Sequence, residues 1–207
     1  MGLIDRESLV TGLHELGAVQ FGDFTLKSGE QSPIYVDLRL LITRPAILRR
    51  VANVLQSMAT RLTFDRLAAI PMAGLPIGVA LSLMMDRPLI YPRLQTKMHG
   101  TGREIEGEWR TGESVLLIDD VISGGQSKIE SITVLEAAGL KIVDMLVVID
   151  RQMGGAEEMA ARGYRLHSTL TLTDILDILL RLKRITKRQH QQVNDWLQAR
   201  KGSEHAA

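Results

Sequence analysis

Val115-Leu116-Leu117-Ile118-Asp119-Asp120-Val121-Ile122-Ser123-Gly124-Gly125-Gln126-Ser127 is the stretch that decides the fold. The unbroken apolar run Val115 to Ile118 suits a strand covered on both faces, and such strands belong to parallel sheets. Two adjacent carboxylates follow at the carboxyl edge, where open parallel sheets hold their ligands. The turn from Ser123 then opens into a helix predicted over Ser127–Ala138, which Gly139 ends. Without bulky side chains, that turn brings several backbone N–H groups to one point. The helix N-terminus adds the positive end of a dipole, so a phosphate belongs there. Beside a phosphate the carboxylates would repel it; sugar hydroxyls or a magnesium ion are the partners that make them favourable. Phosphate on the loop and hydroxyls on Asp119 and Asp120 describe a ribose 5-phosphate. The competing reading is an ordinary strand–helix turn with two solvated acids.

The same alternation extends outward in both directions. Short buried strands are predicted at Leu67–Ile70, closed by Pro71, at Leu89–Tyr91 and at Ile142–Ile149. Helices are predicted from Pro45 to about Ala59, with proline at a favoured first position, and over Ile77–Met85. Leu9, Leu13, Leu16 and Ala18 recur at helical spacing and predict an opening helix over 5–18. A strand and turn over 21–33 lead into a strand over 34–37. Residues 93–112 are polar and rich in glycine and read as a long loop or ribbon. From Thr171 the pattern changes. Thr173-Asp174 is expected to cap a helix through Leu182, and Thr186-x-x-Gln189 a last helix through Trp196. Ile175, Leu176, Leu179, Leu180 and Leu182 form the stripe that packs it down. The expected fold class is α/β, a central mostly parallel sheet flanked by helices with a small N-terminal hood. One domain over 1–170, a helical extension over 171–200 and a frayed tail over 201–207 complete the expectation.

With 207 residues, 45% of them hydrophobic, the chain can bury one sizeable core. Its 25 basic and 24 acidic residues leave a net charge of +1, so no global field draws it to nucleic acid or an anionic membrane. The run Arg181, Lys183, Arg184, Lys187 and Arg188 alternates with apolar residues and reads as a solvated face. Cysteine is absent, which removes disulfides, thiol nucleophiles and cysteine-ligated metals. The apolar runs are strand-sized, far short of the ~20 residues that cross a bilayer, and Met1 to Glu7 carries no signal-peptide stretch. A soluble, cytoplasmic protein without a membrane partner is expected.

The quoted thirteen residues resemble the phosphoribosyl-pyrophosphate (PRPP) motif of type I phosphoribosyltransferases. Three further segments, in order, resemble orotate phosphoribosyltransferases. They are Phe24-Thr25-Leu26-Lys27-Ser28-Gly29 with Ser32-Pro33-Ile34-Tyr35, then Tyr91-Pro92-Arg93 with Lys97-Met98-His99-Gly100 and Ile105-Glu106-Gly107, then Ile149-Asp150-Arg151-Gln152. The likeness covers about residues 5–170 and is nearest to the branch that resembles the transferase half of uridine monophosphate synthases.

That resemblance implies Mg²⁺-dependent transfer of ribose 5-phosphate from PRPP to orotate in pyrimidine biosynthesis, giving orotidine 5′-monophosphate and pyrophosphate. It implies catalytic roles for Lys97, His99, Asp119 and Asp120. PRPP contacts would come from Met72, Ala73, Arg93, Lys97, His99 and the segment Asp119, Asp120, Val121, Ile122, Ser123, Gly124, Gly125, Gln126 and Ser127. Orotate would meet Lys27, Tyr35, Val36, Ser123 and Arg151. No all-protein metal site is implied, since Mg²⁺ is expected to arrive mainly on the pyrophosphate oxygens. A homodimer is implied, with the 93–112 loop reaching the neighbouring active site, and an association with orotidine monophosphate decarboxylase is a further expectation.

Departures from the family pattern leave alternatives. Leu94 stands where a lysine is usual, Met72-Ala73 where many relatives have Tyr followed by Lys or, in the uridine monophosphate synthase branch, a small residue, and Gly124 and Gln126 are unusual in the phosphate loop. They admit a weakly catalytic PRPP- or nucleotide-binding regulator, or a transferase for another base. Lys27 and Arg151 speak against a neutral purine.

Overall fold

The computed structural model describes residues 3–26, 29–93 and 104–204. Its centre is a six-stranded sheet in the order β5-β4-β3-β6-β7-β8. β3 (Arg66–Ala69), β4 (Leu89–Pro92), β6 (Ser114–Ile122), β7 (Lys141–Asp150) and β8 (Arg165–Thr171) pair in parallel, and the two-residue β5 (Ile105–Glu106) is antiparallel to β4. Side chains alternate between two covered faces. On β6 and β7, Leu116, Ile118, Leu146 and Val148 enter one core cluster. Val115, Leu117, Met145 and Val147 enter the other. Both faces are therefore dry, which is why these strands read as continuous apolar runs.

From β3 the chain passes outward to β4, and the later strands β6, β7 and β8 build on the other side of β3. The junction of β3 and β6 is thus the point where strand order reverses, the place an open sheet offers a ligand.

α2 (Pro45–Ala59) and α3 (Gly74–Met85) cover one face together with α1 (Leu3–Glu15), α6 (Leu172–Arg181) and α7 (Lys187–Glu204). α4 (Gln126–Ala137) and α5 (Gly155–Ala161) contribute Ile132, Leu135 and Met159 to the other. The hood is the antiparallel pair β1 (Val19–Thr25) and β2 (Gln31–Val36), followed by a 3-10 turn over Leu38–Thr43 that Asp37 caps.

Several expectations need correction. The opening helix stops at Glu15, because Gly17 turns the chain at φ +79° to start the hood. β6 continues through both acids to Ile122, so Asp119 and Asp120 lie inside the strand end rather than after it. Within residues 93–112, read as a loop or ribbon, Ile105 and Glu106 pair with Pro92 and Tyr91. α5 and β8 went unpredicted. Thr171, not Thr173, caps α6, sharing a capping box with Asp174. Ile175, Leu176 and Leu179 are buried as expected, but Leu182 is exposed and Ile178 takes its place. Thr186 and Gln189 do form their reciprocal cap, and α7 runs on past Trp196 to Glu204. Arg181 and Arg184 pair with Glu7 and Glu15 at the surface.

Candidate active site

The carboxyl end of β6 carries an unusual charge arrangement. Asp119 is 4% exposed, and its Oδ2 lies 2.6 Å from Nζ of Lys128, which is 5% exposed. That ammonium also donates to the Val121 carbonyl at 2.5 Å, so it holds the acid and the strand end together. The other Asp119 oxygen accepts the Asp120 amide at 2.8 Å, while Asp120 Oδ1 accepts the Val121 amide at 2.7 Å. Among the described residues no cation forms an ion pair with Asp120. Burial, and then the neighbouring Asp119 charge, push its carboxyl up to about 7. Of the two acids, one is neutralised inside the protein and the other is left seeking a proton, a cation or hydroxyl donors.

Beyond Ile122 the loop turns into α4 through Gly125 at φ +91°, a conformation that disfavours any residue with a Cβ. No side chain caps this helix. Among the described residues the amides of Gly124, Gly125, Gln126 and Ser127 donate to no protein acceptor. Gly124 has open space where a side chain would stand. Four unfilled N–H groups at a helix start form an anion seat next to the acids. The loop is held from behind by Gly155, where a Cβ would stand only 2.6 Å from Ile122 Cγ1.

β3 supplies the opposite wall. Met72 is 70% exposed, and Ala73 opens α3 with no side-chain cap. Gly74 packs so close to β6 that a Cβ would lie 3.0 Å from the Ile118 carbonyl and 3.1 Å from Asp119 Oδ1.

On the third side Arg151 leaves the end of β7. Its amide donates to the Ile122 carbonyl at 3.0 Å, and Nη1 donates to Ser123 Oγ at 3.3 Å. Its Nε and Nη2 are buried without a hydrogen-bond partner among the described residues. Burial, and secondarily the charge of Arg200, draw this guanidinium below its usual range, against the pull of Glu30 and Tyr35. Buried donors without acceptors are costly unless a ligand fills them. An anion with two oxygens is the natural occupant.

Tyr35 stacks on Phe24 at 5.4 Å between centroids, and its hydroxyl accepts from Arg39 at 3.3 Å. Val36 pairs with Val19 in the hood ladder.

No family model matches the chain. Individual proteins do. It is 41% identical over 193 residues to uridine 5′-monophosphate synthase of Bos taurus, spanning 92% of this chain but 40% of the bovine one. It is 36% identical over 174 residues to orotate phosphoribosyltransferase of Pyrococcus furiosus, spanning 83% of this chain and 96% of that one. The structure of Leishmania donovani UMP synthase superposes with a TM-score of 0.87 at 40% identity, covering 93% of this chain and 42% of that chain.

The chain belongs to the orotate phosphoribosyltransferase family. It adopts the type I phosphoribosyltransferase fold, and it spans about two fifths of the UMP synthases it matches.

Against the residues that this family resemblance nominated, the structure is selective. It gathers Asp119, Asp120, Ser123, Gly124, Gly125, Ser127 and Arg151 at one strand end. Ile122 is fully buried, so only its backbone serves the loop, and the Val121 carbonyl is taken by Lys128. The Gln126 side chain runs along α4, its Nε2 donating to Glu130 at 3.2 Å, rather than into the loop. Arg93 is ion-paired with Glu106 across β4 and β5, so its charge is already neutralised. Lys27, Leu94, Lys97 and His99 lie outside the described residues. Lys128 escaped the sequence reading. The signal was present: a lysine in the first turn of a helix opposes the dipole and needs a buried acid to justify it.

Proposed function

We propose that this chain is an orotate phosphoribosyltransferase acting in pyrimidine synthesis, displacing pyrophosphate from C1 of PRPP with a ring nitrogen of orotate. The observation that carries the reading is the pair of partnerless Arg151 nitrogens, one strand away from an acid pair and beside four unfilled loop amides. An anionic planar base, a diol and a phosphate match those three sets of groups.

In this reading the amides of Gly124 to Ser127 hold the 5-phosphate. Asp120 accepts the ribose hydroxyls, and its negative charge stabilises the cationic sugar as the bond to pyrophosphate breaks, while Asp119, paired with Lys128, backs it from inside the strand end. Lys128 holds Asp119 in place through their ion pair. Arg151 grips the carboxylate of orotate, with Ser123 orienting its guanidinium, and Tyr35 and Val36 form the wall beside the base. Lys27 adds a second cation for the base, and Met72 and Ala73 border the PRPP end. Lys97 and His99 neutralise the leaving pyrophosphate.

Magnesium fits this scheme as a cation carried by the substrate. Among the described residues no three histidines or acids converge to cage one. When bound, it supplies charge neutralisation for pyrophosphate. A homodimer in which the 93–112 loop serves the neighbouring site, location in the cytoplasm, and association with an orotidine monophosphate decarboxylase complete the proposal. No described helix is long and apolar enough to cross a membrane.

The test is to mix the protein with orotate, PRPP and Mg²⁺ and follow the loss of orotate absorbance. Tight PRPP binding without turnover would overturn the reading in favour of a nucleotide-sensing regulator. Slow turnover that rises in Leu94→Lys would locate the weakness in that departure from the family.

A further inference from the structure

Of the segment Ile149-Asp150-Arg151-Gln152, the chemistry proposed above uses only the arginine. Gln152 is held in a way that asks for a reason. Its backbone lies at φ +57°, in the left-handed region that glycine enters freely and a long side chain does not. The Gln152 amide donates to Oδ1 of Asp150, itself 9% exposed, at 2.7 Å. Its side-chain oxygen accepts twice from one residue of α6, from the Thr173 amide at 3.0 Å and from the Thr173 hydroxyl at 2.6 Å. Thr173 is fixed in turn, because Leu172, Ile175 and Leu176 on either side of it are fully buried.

A backbone kept out of its preferred region persists only where its surroundings over-determine it, and such positions gather at ligand clamps. The residue next to this one is Arg151. The chain is pinned on both sides of its side chain, by the Arg151 amide on the Ile122 carbonyl at 3.0 Å and by Gln152 on α6. The guanidinium has a weaker tether of its own, the 3.3 Å bond from Nη1 to Ser123, and its Nε and Nη2 stay unfilled among the described residues. Its aim therefore depends on the backbone beneath it. Donors already aimed before a ligand arrives bind it with less ordering still to be done.

We propose that Gln152 and Thr173 form a clamp that positions Arg151: the two hydrogen bonds to α6 hold residue 152 in its left-handed turn, and that turn aims the unfilled guanidinium donors at an anionic base. Both residues act through Arg151, and they tie base binding to the seating of α6. This inference rests on the reading of Arg151 as the base-binding cation.

Steady-state kinetics of three variants test it. Thr173→Val removes the hydroxyl donor in a side chain of similar shape, leaving Gln152 a single bond to α6. It raises the KM for orotate on the order of tenfold, while kcat and the KM for PRPP stay within about twofold. Thr173→Ser restores the hydroxyl and keeps the orotate KM near wild type. Gln152→Gly takes the left-handed turn without strain but has no side chain to clamp. Its urea midpoint stays close to wild type while its orotate KM rises as in Thr173→Val, a split that a residue serving only the fold does not give. An orotate KM unchanged in Thr173→Val, or a KM for PRPP that rises in step with it, overturns the proposal. Should Gln152→Gly fail to fold, the two Thr173 variants still decide.

A second measurement separates the clamp from the parent reading. Amide hydrogen exchange of the substrate-free protein over residues 150–154 accelerates in Thr173→Val and not in Thr173→Ser, with the amides of β6 unchanged. A wild type that binds no orotate defeats the functional reading alone; unaltered exchange in Thr173→Val then defeats the clamp.

Discussion

Nζ of Lys128 lies 2.6 Å from Oδ2 of Asp119, with both side chains only 6% exposed. A charged pair sealed this deeply adds little net stability when intact, because desolvation offsets most of the attraction. Removing one member is a different matter. What remains is a buried charge with no counter-ion.

Lys128→Met is therefore expected to destabilise the protein by roughly 3–5 kcal/mol. Asp119→Asn combined with Lys128→Met should recover a large part of that loss, since neither charge is then stranded. Urea titrations of the two variants and wild type measure both effects. A Lys128→Met protein as stable as wild type would mean that the pair does not hold the strand end. Turnover should be lost in both variants.

Asp120 predicts the opposite relation between stability and function. Its folded pKa, about 7, is raised above the ordinary 3.8. The folded state therefore binds the proton more tightly than the unfolded chain, and stability falls as pH rises through that window. Asp120→Asn should raise the melting temperature at pH 8 by a few degrees, on the order of what a 1 kcal/mol gain gives in a domain of this size. It should also weaken PRPP binding and turnover. In the wild type, kcat/KM for PRPP should climb as pH rises through about 7, where the ribose ligand ionises. A flat profile from pH 6 to 8 would remove Asp120 from the sugar site.

How much of this was legible beforehand depended on where the determining information sits. The strands at Leu67, Leu89, Val115 and Ile142 announced themselves because both of their faces are dry. β8 did not, since Arg165, His167 and Ser168 give an edge strand a polar pattern that a loop would share. α5 has seven residues between two glycines at positive φ, too short for helical periodicity to register. The acids were legible as a site but not as strand residues, because Asp119 is tolerated in β6 only through Lys128, nine positions later. Thr171 and Thr173 both satisfy a capping pattern. Gln152 decides between them, since it accepts from the Thr173 hydroxyl at 2.6 Å and leaves Thr171 to the helix. Arg200 and Glu30 were invisible as partners, being joined only by tertiary packing.

Gly155 offers a test of the loop that avoids the charged groups. A methyl there would press on Ile122 and the Ser123 carbonyl, backbone that cannot yield without moving the phosphate loop. Gly155→Ala should raise the KM for PRPP on the order of tenfold or more while destabilising the protein by about 1–3 kcal/mol. Gly124→Ala, which adds a methyl in open space, should leave stability unchanged. Equal stability of the two variants would show that the α5 contact does not set the loop.

The edge of the sheet supplies the last prediction. Asp144 on β7, 6% exposed, accepts from Arg165 at 2.9 and 2.7 Å and lies 2.8 Å from Nε2 of His167, both on β8. Burial alone would raise its pKa, but the Arg165 and then the His167 hydrogen bonds outweigh it and hold the carboxyl below its usual range. The sign follows from that direction. The unfolded chain takes up the proton first as pH falls, so the pair's contribution is fully present above about pH 4 and drains away through the folded pKa below it. Asp144→Asn should cost about 1–3 kcal/mol at pH 7 by stripping a charge-assisted acceptor from two donors. The gap between variant and wild type should narrow below pH 4, where the wild-type carboxyl also begins to protonate. Urea midpoints at pH 7 and pH 3.5 measure the difference, and a gap that stays constant would assign the loss to packing rather than to the charge that ties β8 to the sheet.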